Sequence, residues 1–171
     1  MNVSLDWLKQ ADLPQLRALR EVCCGVPREK YESLWKFLHE PTTLGLTACH
    51  AGGRIVGYLL CDVSYRRQAV ALQEFGVLPR YRRHGIARRL LQTIIAKVPH
   101  DLAVEARTHE RDVTAQLFLK ASGFLCIGIE GESRNLYRFR YYHEPHQKPD
   151  QVSQEGQGQG ADPPRTESKN A

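Results

Sequence analysis

Two periods of apolar spacing alternate along this chain. Leu44 to His50, Arg54 to Asp62 and Ala69 to Val77 are strand-like runs. Ala51-Gly52-Gly53 between the first two is a hairpin signal, and polar Tyr65-Arg66-Arg67-Gln68 separates the second from the third. Together they predict an antiparallel meander. Helical spacing then takes over from Ile86 to Lys97: Ile86, Leu90 and Ile94 recur every fourth residue with Leu91 and Ile95 alongside, while Arg88, Arg89 and Gln92 face away. Pro99 lies just past its end.

Before the meander, the pattern predicts a short strand at Leu5 to Trp7 and a helix opening at Asp12, its N-cap, with Pro14 in the first turn. Leu13, Leu16, Leu19 and Cys23 share one side of that helix, and a second helix covers Arg28 to Leu38. After Lys97 come a short strand at Leu102 to Ala106 and a helix from Val113 to Ser122, capped by Asp112 and ended by Gly123. A last hairpin runs from Phe124 to Ile129 and from Asn135 to Tyr142. The strand, loop, helix and strand from Ala69 to Ala106 read as a right-handed βαβ unit.

From Glu144 onward Gln, Gly, Pro, Ser and charge dominate and aromatic residues vanish. Such a segment cannot bury enough surface to order itself. The expected organisation is therefore one domain at 1–143 and a disordered polar tail at 144–171. Hydrophobic residues make up 42% and charged residues 25% of the 171, as in ordinary soluble domains. There is no apolar run of about 18 residues, and the first residues carry neither a basic nor an apolar leader segment, so no membrane span and a cytoplasmic location are expected. The five cysteines are odd in number and lack CxxC spacing, which favours buried reduced thiols over a disulfide framework or a metal site.

Charge sharpens this picture in one place. The net charge is +5, but residues 144–171 contribute −2, leaving +7 for the rest, and five arginines lie between residues 80 and 89. Three of them lie within, and two directly after, the stretch Val77-Leu78-Pro79-Arg80-Tyr81-Arg82-Arg83-His84-Gly85-Ile86-Ala87, in which an apolar strand gives way to a one-glycine basic loop and then to a helix. A helix N-terminus presents free N–H groups and a positive dipole end, so this loop suits a phosphate-bearing ligand. Nucleic acid is the weaker reading, because no set of stacking aromatic residues accompanies the arginines.

Several segments resemble the GNAT acetyltransferase superfamily. Arg82-Arg83-His84-Gly85-Ile86-Ala87 is similar to its Arg/Gln-x-x-Gly-x-Gly/Ala acetyl-CoA motif. Asp112-Val113-Thr114-Ala115-Gln116-Leu117-Phe118-Leu119-Lys120-Ala121-Ser122-Gly123-Phe124 is similar to its Asn-x-x-Ala-x-x-Leu-Tyr-x-x-x-Gly-Phe pattern. Gln10-Ala11-Asp12-Leu13-Pro14 and Arg54-Ile55-Val56-Gly57-Tyr58 also resemble family segments, and the likeness spans about residues 3–142. Within the superfamily the chain looks most like the ribosomal-protein alanine N-acetyltransferases.

The resemblance implies an α/β (α+β) fold: a single domain with a mixed, mostly antiparallel sheet of about seven strands and helices on both faces. It implies acetyl-CoA as cosubstrate, no metal, and an amine acceptor that is either a protein N-terminus or a small amine such as a polyamine. A monomer or homodimer fits. A non-catalytic CoA-binding module is the alternative. The diphosphate would sit on the amides of Arg83 to Ala87, with Arg82, Arg83 and His84 adding charge; Gly85 lets the backbone approach closely. Phe75, Gly76, Val77 and Leu78 would line the pantetheine arm, and an N–H near Val77 would polarise the thioester carbonyl. Ile86, Asp112 and Phe118 complete the expected cofactor-binding set. The amine must lose a proton, and Glu74 is the leading base, with Glu105 second. The family's acid, a tyrosine, is here Leu119, which cannot donate a proton; Tyr137 is the candidate replacement, and His109 a loop histidine nearby. Asp112 in place of asparagine still caps a helix but only accepts hydrogen bonds.

Overall fold

The structure is a computed structural model that describes residues 2–24, 39–130 and 135–143. The helix expected at 28–38, the turn at 131–133 and the tail at 144–171 lie outside the described residues. Seven strands form one sheet: β1 (Val3–Trp7), β2 (Thr43–His50), β3 (Arg54–Ser64), β4 (Ala69–Val77), β5 (Ala103–His109), β6 (Leu125–Glu130) and β7 (Leu136–Tyr141). Their spatial order is β1-β2-β3-β4-β5-β7-β6, and only β4 and β5 run parallel. Three helices whose bounds lie among the described residues flank it: α1 (Leu13–Cys24), α2 (Ile86–Lys97) and α3 (Val113–Ala121).

The helices divide between the two faces because each has one apolar stripe to bury. Leu16 and Leu19 of α1 pack with Ile55, Tyr58 and Leu60 of β3 in a smaller core. Ile86, Leu90, Leu91 and Ile94 of α2, with Leu119 of α3, pack against Val56, Leu59, Val70, Leu72 and Val104 in the larger one on the opposite face. Neighbouring residues of β3 thus supply different cores, as the two-residue period of a strand requires.

Three local details depart from the sequence reading. Asp12 does not cap α1; a 3-10 turn (Gln10–Asp12) precedes the helix, and the Asp12 carboxylate accepts from Lys9 N–H at 2.9 Å. β5 continues past Ala106 to His109, so His109 ends a strand rather than sitting in a loop. Of the cysteines, all free, only Cys61 is fully buried; Cys24 and Cys126 are exposed. Other strand ends shift by one or two residues, and the expected caps of α3 hold. Asp112 Oδ1 accepts from Ala115 N–H at the start of α3, and Phe124 N–H and Gly123 N–H close its far end on Leu119 O and Lys120 O.

Candidate active site

β4 and β5 are bonded as neighbours only from Ala69↔Ala103 to Leu72↔Ala106. Beyond that rung β4 continues to Val77 and β5 to His109 with no pairing between them. The parting coincides with an irregularity in the β3–β4 ladder, where Leu60 pairs with Glu74 and Cys61 with Leu72, so Gln73 is the extra residue. A bulge bends the strand that carries it, and here it turns the end of β4 away from β5.

The free edge of β4 is oriented for a guest strand. Leu78 N–H donates to Val56 O of β3 at 2.9 Å. By alternation the N–H groups of Val77 and Phe75 point away from β3, into the gap. Gly76, turned toward α1, must lack a side chain: a Cβ there would lie 2.7 Å from the Tyr58 ring and 2.9 Å from Cys23 Cβ. Phe75 faces the other way and packs on Phe118 of α3, ring centroids 5.3 Å apart.

Past Val77 the chain makes a short turn (Pro79–Tyr81) and enters the basic loop. Arg83 and Gly85 both adopt positive φ, 65° and 76°. For an arginine that conformation costs about 1 kcal/mol or more, and such strain concentrates at ligand sites. The first backbone bond of α2 is Arg89 N–H to Gly85 O, 3.0 Å, which leaves the N–H groups of Ile86, Ala87 and Arg88 open at the helix end. The space a Cβ on Gly85 would occupy has no neighbour within 4 Å. Arg83, His84 and Gly85 are exposed, Ala87 is half-buried and Ile86 is buried in the larger core. Arg82 is exposed too, but its Nε donates to Val77 O at 3.0 Å and ties the loop to the end of β4. His84 Nδ1 lies 2.8 Å from Arg82 O.

The candidate bases have different surroundings. Glu74 receives Arg20 through both oxygens, Nε at 2.7 Å and Nη2 at 2.6 Å, and also accepts from Tyr58 OH. Cys24 Sγ lies 3.3 Å from that phenol and completes the cluster. Burial, reinforced by Cys24 and Glu74, pushes the Tyr58 phenol far up, so it stays protonated and donates. The Glu74 hydrogen bond raises Arg20 further despite burial. Arg20 Nη1 is buried with no hydrogen-bond partner among the described residues. Glu105, on β5 one residue before the strands part, meets Arg140 of β7 through Oε1 alone, 2.8 Å from Nη2. Both carboxylates lie on the α1 face of the sheet, since Val104 and Ala106, which flank Glu105, belong to the core on the other face.

Leu119 is fully buried in the larger core. Tyr137 is half-buried against that same core, paired with Thr108 of β5. His109 is exposed, its Nδ1 accepting from Arg111 N–H at 3.2 Å. Asp112 is exposed and engaged in its capping bond. Phe75, Val77 and the start of the loop thus border the β4–β5 gap, with Phe118 against Phe75; Asp112 lies beyond the end of β5, its N–H on His109 O, and Glu74 and Glu105 lie on the α1 face. Arg20, Tyr58, Arg140 and Thr108 are site neighbours that sequence reading did not single out. Only Thr108 had a local signal, a β-branched residue between two polar ones continuing the alternation of β5.

Among the described residues no three His, Cys, Asp or Glu side chains group as a metal site, and no helix is long and apolar enough to cross a membrane. The architecture is shared with solved acetyltransferases. The ribosomal-protein-S18-alanine N-acetyltransferase from Escherichia coli superposes with a TM-score of 0.71 at 15% identity, covering 82% of this chain and 93% of that one. NAA60 from Arabidopsis thaliana, solved with a bisubstrate analogue, gives 0.66 at 17%, covering 82% and 98%. The spermidine/spermine N-acetyltransferase SpeG from Vibrio cholerae gives 0.62 at 17%, covering 81% and 91%. No curated protein matches the chain by sequence. The profile of the Acetyltransferase (GNAT) family does match it, over residues 12–124, which takes in the whole span from α1 through the basic loop to the end of α3, and the chain therefore belongs to the GNAT acetyltransferases.

Proposed function

We propose that this acetyltransferase moves an acetyl group from acetyl-CoA, the family's cosubstrate, to a primary amine, and that its acceptor is the α-amine of a protein N-terminus. The observation that carries the reading is the parting of β4 and β5 directly beside a glycine-headed helix end. The open amides of Ile86, Ala87 and Arg88 suit a diphosphate. From Gln73 to Val77 the free edge of β4 runs about 13 Å at strand rise, a length suited to an extended arm that pairs as a strand would. The bound donor supplies an activated acetyl carbonyl. The N–H groups of Phe75 and Val77 are the donors available to that oxygen.

Glu105 is the better-placed base. Glu74 already serves a guanidinium and a phenol, so few of its lone pairs remain. Glu105 has one oxygen committed to Arg140 and the other unengaged by any described hydrogen bond, at the point where the strands part. It can take the amine's proton through a water.

Charge supports a peptide over a polyamine. Three carboxylates on this face are paired with arginines: Glu74 with Arg20, Glu105 with Arg140, and Glu130 with Arg107 at 2.8 Å; Asp62, in the same cross-strand row as Glu105, is the exception. A polycation gains little from carboxylates already neutralised. An α-amine also ionises near 7.7–8.0, against about 10.4 for a lysine-type amine, so less work falls on the base.

The test is acetyl-CoA turnover against N-terminal peptides, spermidine and simple primary amines, with Glu105→Gln alongside. Turnover of peptides at a kcat/KM well above that for spermidine, lost by a factor of about a hundred or more in Glu105→Gln, is expected. A preference for spermidine, or an unaltered Glu105→Gln, overturns the acceptor or the base respectively.

A further inference from the structure

Leu119 stands where the resemblance calls for a tyrosine, and it is fully buried, so no side chain of α3 at that position reaches the departing sulfur. Something else must meet that charge. Thr108 is 7% exposed, and its Oγ1 is buried without a hydrogen-bond partner among the described residues. A buried hydroxyl left unpaired costs about 1–3 kcal/mol, so its retention in a β-strand asks for a reason. Its position offers one. Val104, Ala106 and Thr108 share one face of β5, the first two inside the larger core. Thr108 is two residues past Ala106, the last rung bonded to β4, so it sits on the wall of the gap, on the side where Phe75 meets Phe118. Tyr137 is directly across on β7, yet no hydrogen bond joins the two.

We infer that the Thr108 hydroxyl is a donor to the sulfur of the acyl carrier, holding that atom at the fork of β4 and β5. The inference rests on the acetyl-CoA reading above. In the transfer, the amine nitrogen bonds the acetyl carbon, the carbon–sulfur bond breaks, and its electron pair stays on sulfur. Thr108 keeps its own proton and donates a hydrogen bond to that sulfur. The proton that finally neutralises it is the one taken from the amine, returned through Glu105 and water. A hydroxyl held this way is a binding group before it is a rate-enhancing one, which makes it measurable without turnover.

The experiment compares the full chain with Thr108→Val and Thr108→Ser by thermal melting without ligand and by calorimetry with CoA and with desulfo-CoA, which lacks the thiol. Thr108→Val keeps the shape and removes the unpaired hydroxyl, so the free protein should melt at the same temperature or higher. CoA affinity should fall about five- to tenfold, the worth of one hydrogen bond. Desulfo-CoA should bind wild type and Thr108→Val alike, and Thr108→Ser should recover the CoA affinity. The inference is overturned if Thr108→Val lowers the melting temperature of the free protein, leaves CoA affinity unchanged, or weakens CoA and desulfo-CoA equally. Failure of the wild type to bind CoA at all removes the acetyl-CoA reading itself, a separate and recognisable result.

Discussion

Replacing Glu74 with Ala strips the counter-charge from a guanidinium that is only 9% exposed. Arg20 cannot shed its proton, because the group stays ionised across the accessible pH range. The variant must either hydrate a buried cation or let α1 move off β4. Breaking a buried pair by removing one partner costs about 3–5 kcal/mol, and since Glu74 is itself 22% exposed the lower end applies, about 3 kcal/mol. At roughly 2–4 °C per kcal/mol for a domain of this size, the melting temperature should drop by about 6–12 °C. Arg20→Met combined with Glu74→Leu removes both charges and should recover most of that loss. The assay is urea unfolding of wild type, Arg20→Met, Glu74→Leu and the double variant, read as a double-mutant cycle, with Glu74→Ala measured beside them. A coupling energy of about 2–3 kcal/mol is expected. The structural role for Glu74 fails if the single variant loses less than about 1 kcal/mol, or if Glu74→Gln silences turnover at an unchanged melting temperature while Glu105→Gln does not. That second result would restore Glu74 as the base.

Gly85→Glu should abolish CoA binding by filling the open space beside the helix end with a like charge, and should destabilise the free fold by about 1 kcal/mol for its positive φ; unchanged affinity in calorimetry contradicts the site. Leu119→Tyr should lose about 1–3 kcal/mol by overpacking a position with no exposure, with no gain in turnover. A gain at full stability would show that the site can use an acid there. His143 is pushed down by burial and by the nearby His100 ring, 4.9 Å away between centroids. Below about 6.5 the unfolded chain therefore binds a proton that the folded one resists. Stability should be complete above that pH and fall as pH drops through the lowered value, and His143→Gln should flatten the profile of melting temperature against pH. A slope that persists unchanged in the variant rules out His143 as its source.

Where contacts are local, the pattern along the chain was enough. The bounds of α2 and β4 follow from i+4 leucine and isoleucine spacing and from an apolar run, broken only by Gln73 and Glu74, that Pro79 closes. The last three residues of β5 announced themselves only through Thr108. Arg107 and His109 point to solvent, so the run reads as polar, and only Thr108 between them is buried. The Arg20–Glu74 pair was out of reach for a different reason: its partners are 54 residues apart, and nothing near either residue encodes the other. Leu119 lies between these cases. Its side-chain type was plain from the sequence; that it turns fully into the core follows only from how α3 packs on the sheet.

On the proposed reading the two faces of the sheet carry different tasks, and this has a kinetic consequence. Phe75, Thr108, Phe118 and the start of α2 belong to the face that holds the larger core, and they border the gap into which the donor's arm would enter. Arg20, Glu74, Glu105 and Arg140 belong to the other face, together with Arg107 and Glu130. A donor lying edgewise in the gap touches both, and on this reading the amine arrives from the face opposite α2 and α3. Substitutions on the first face should therefore move CoA affinity with little change in the KM for the amine. Those of Glu105 and Arg140 should move kcat and the amine KM while CoA affinity holds. A variant of Arg140 that weakened CoA binding as strongly as Thr108→Val would mean that both substrates share one face, and the assignment of Glu105 as base would lose its geometric support.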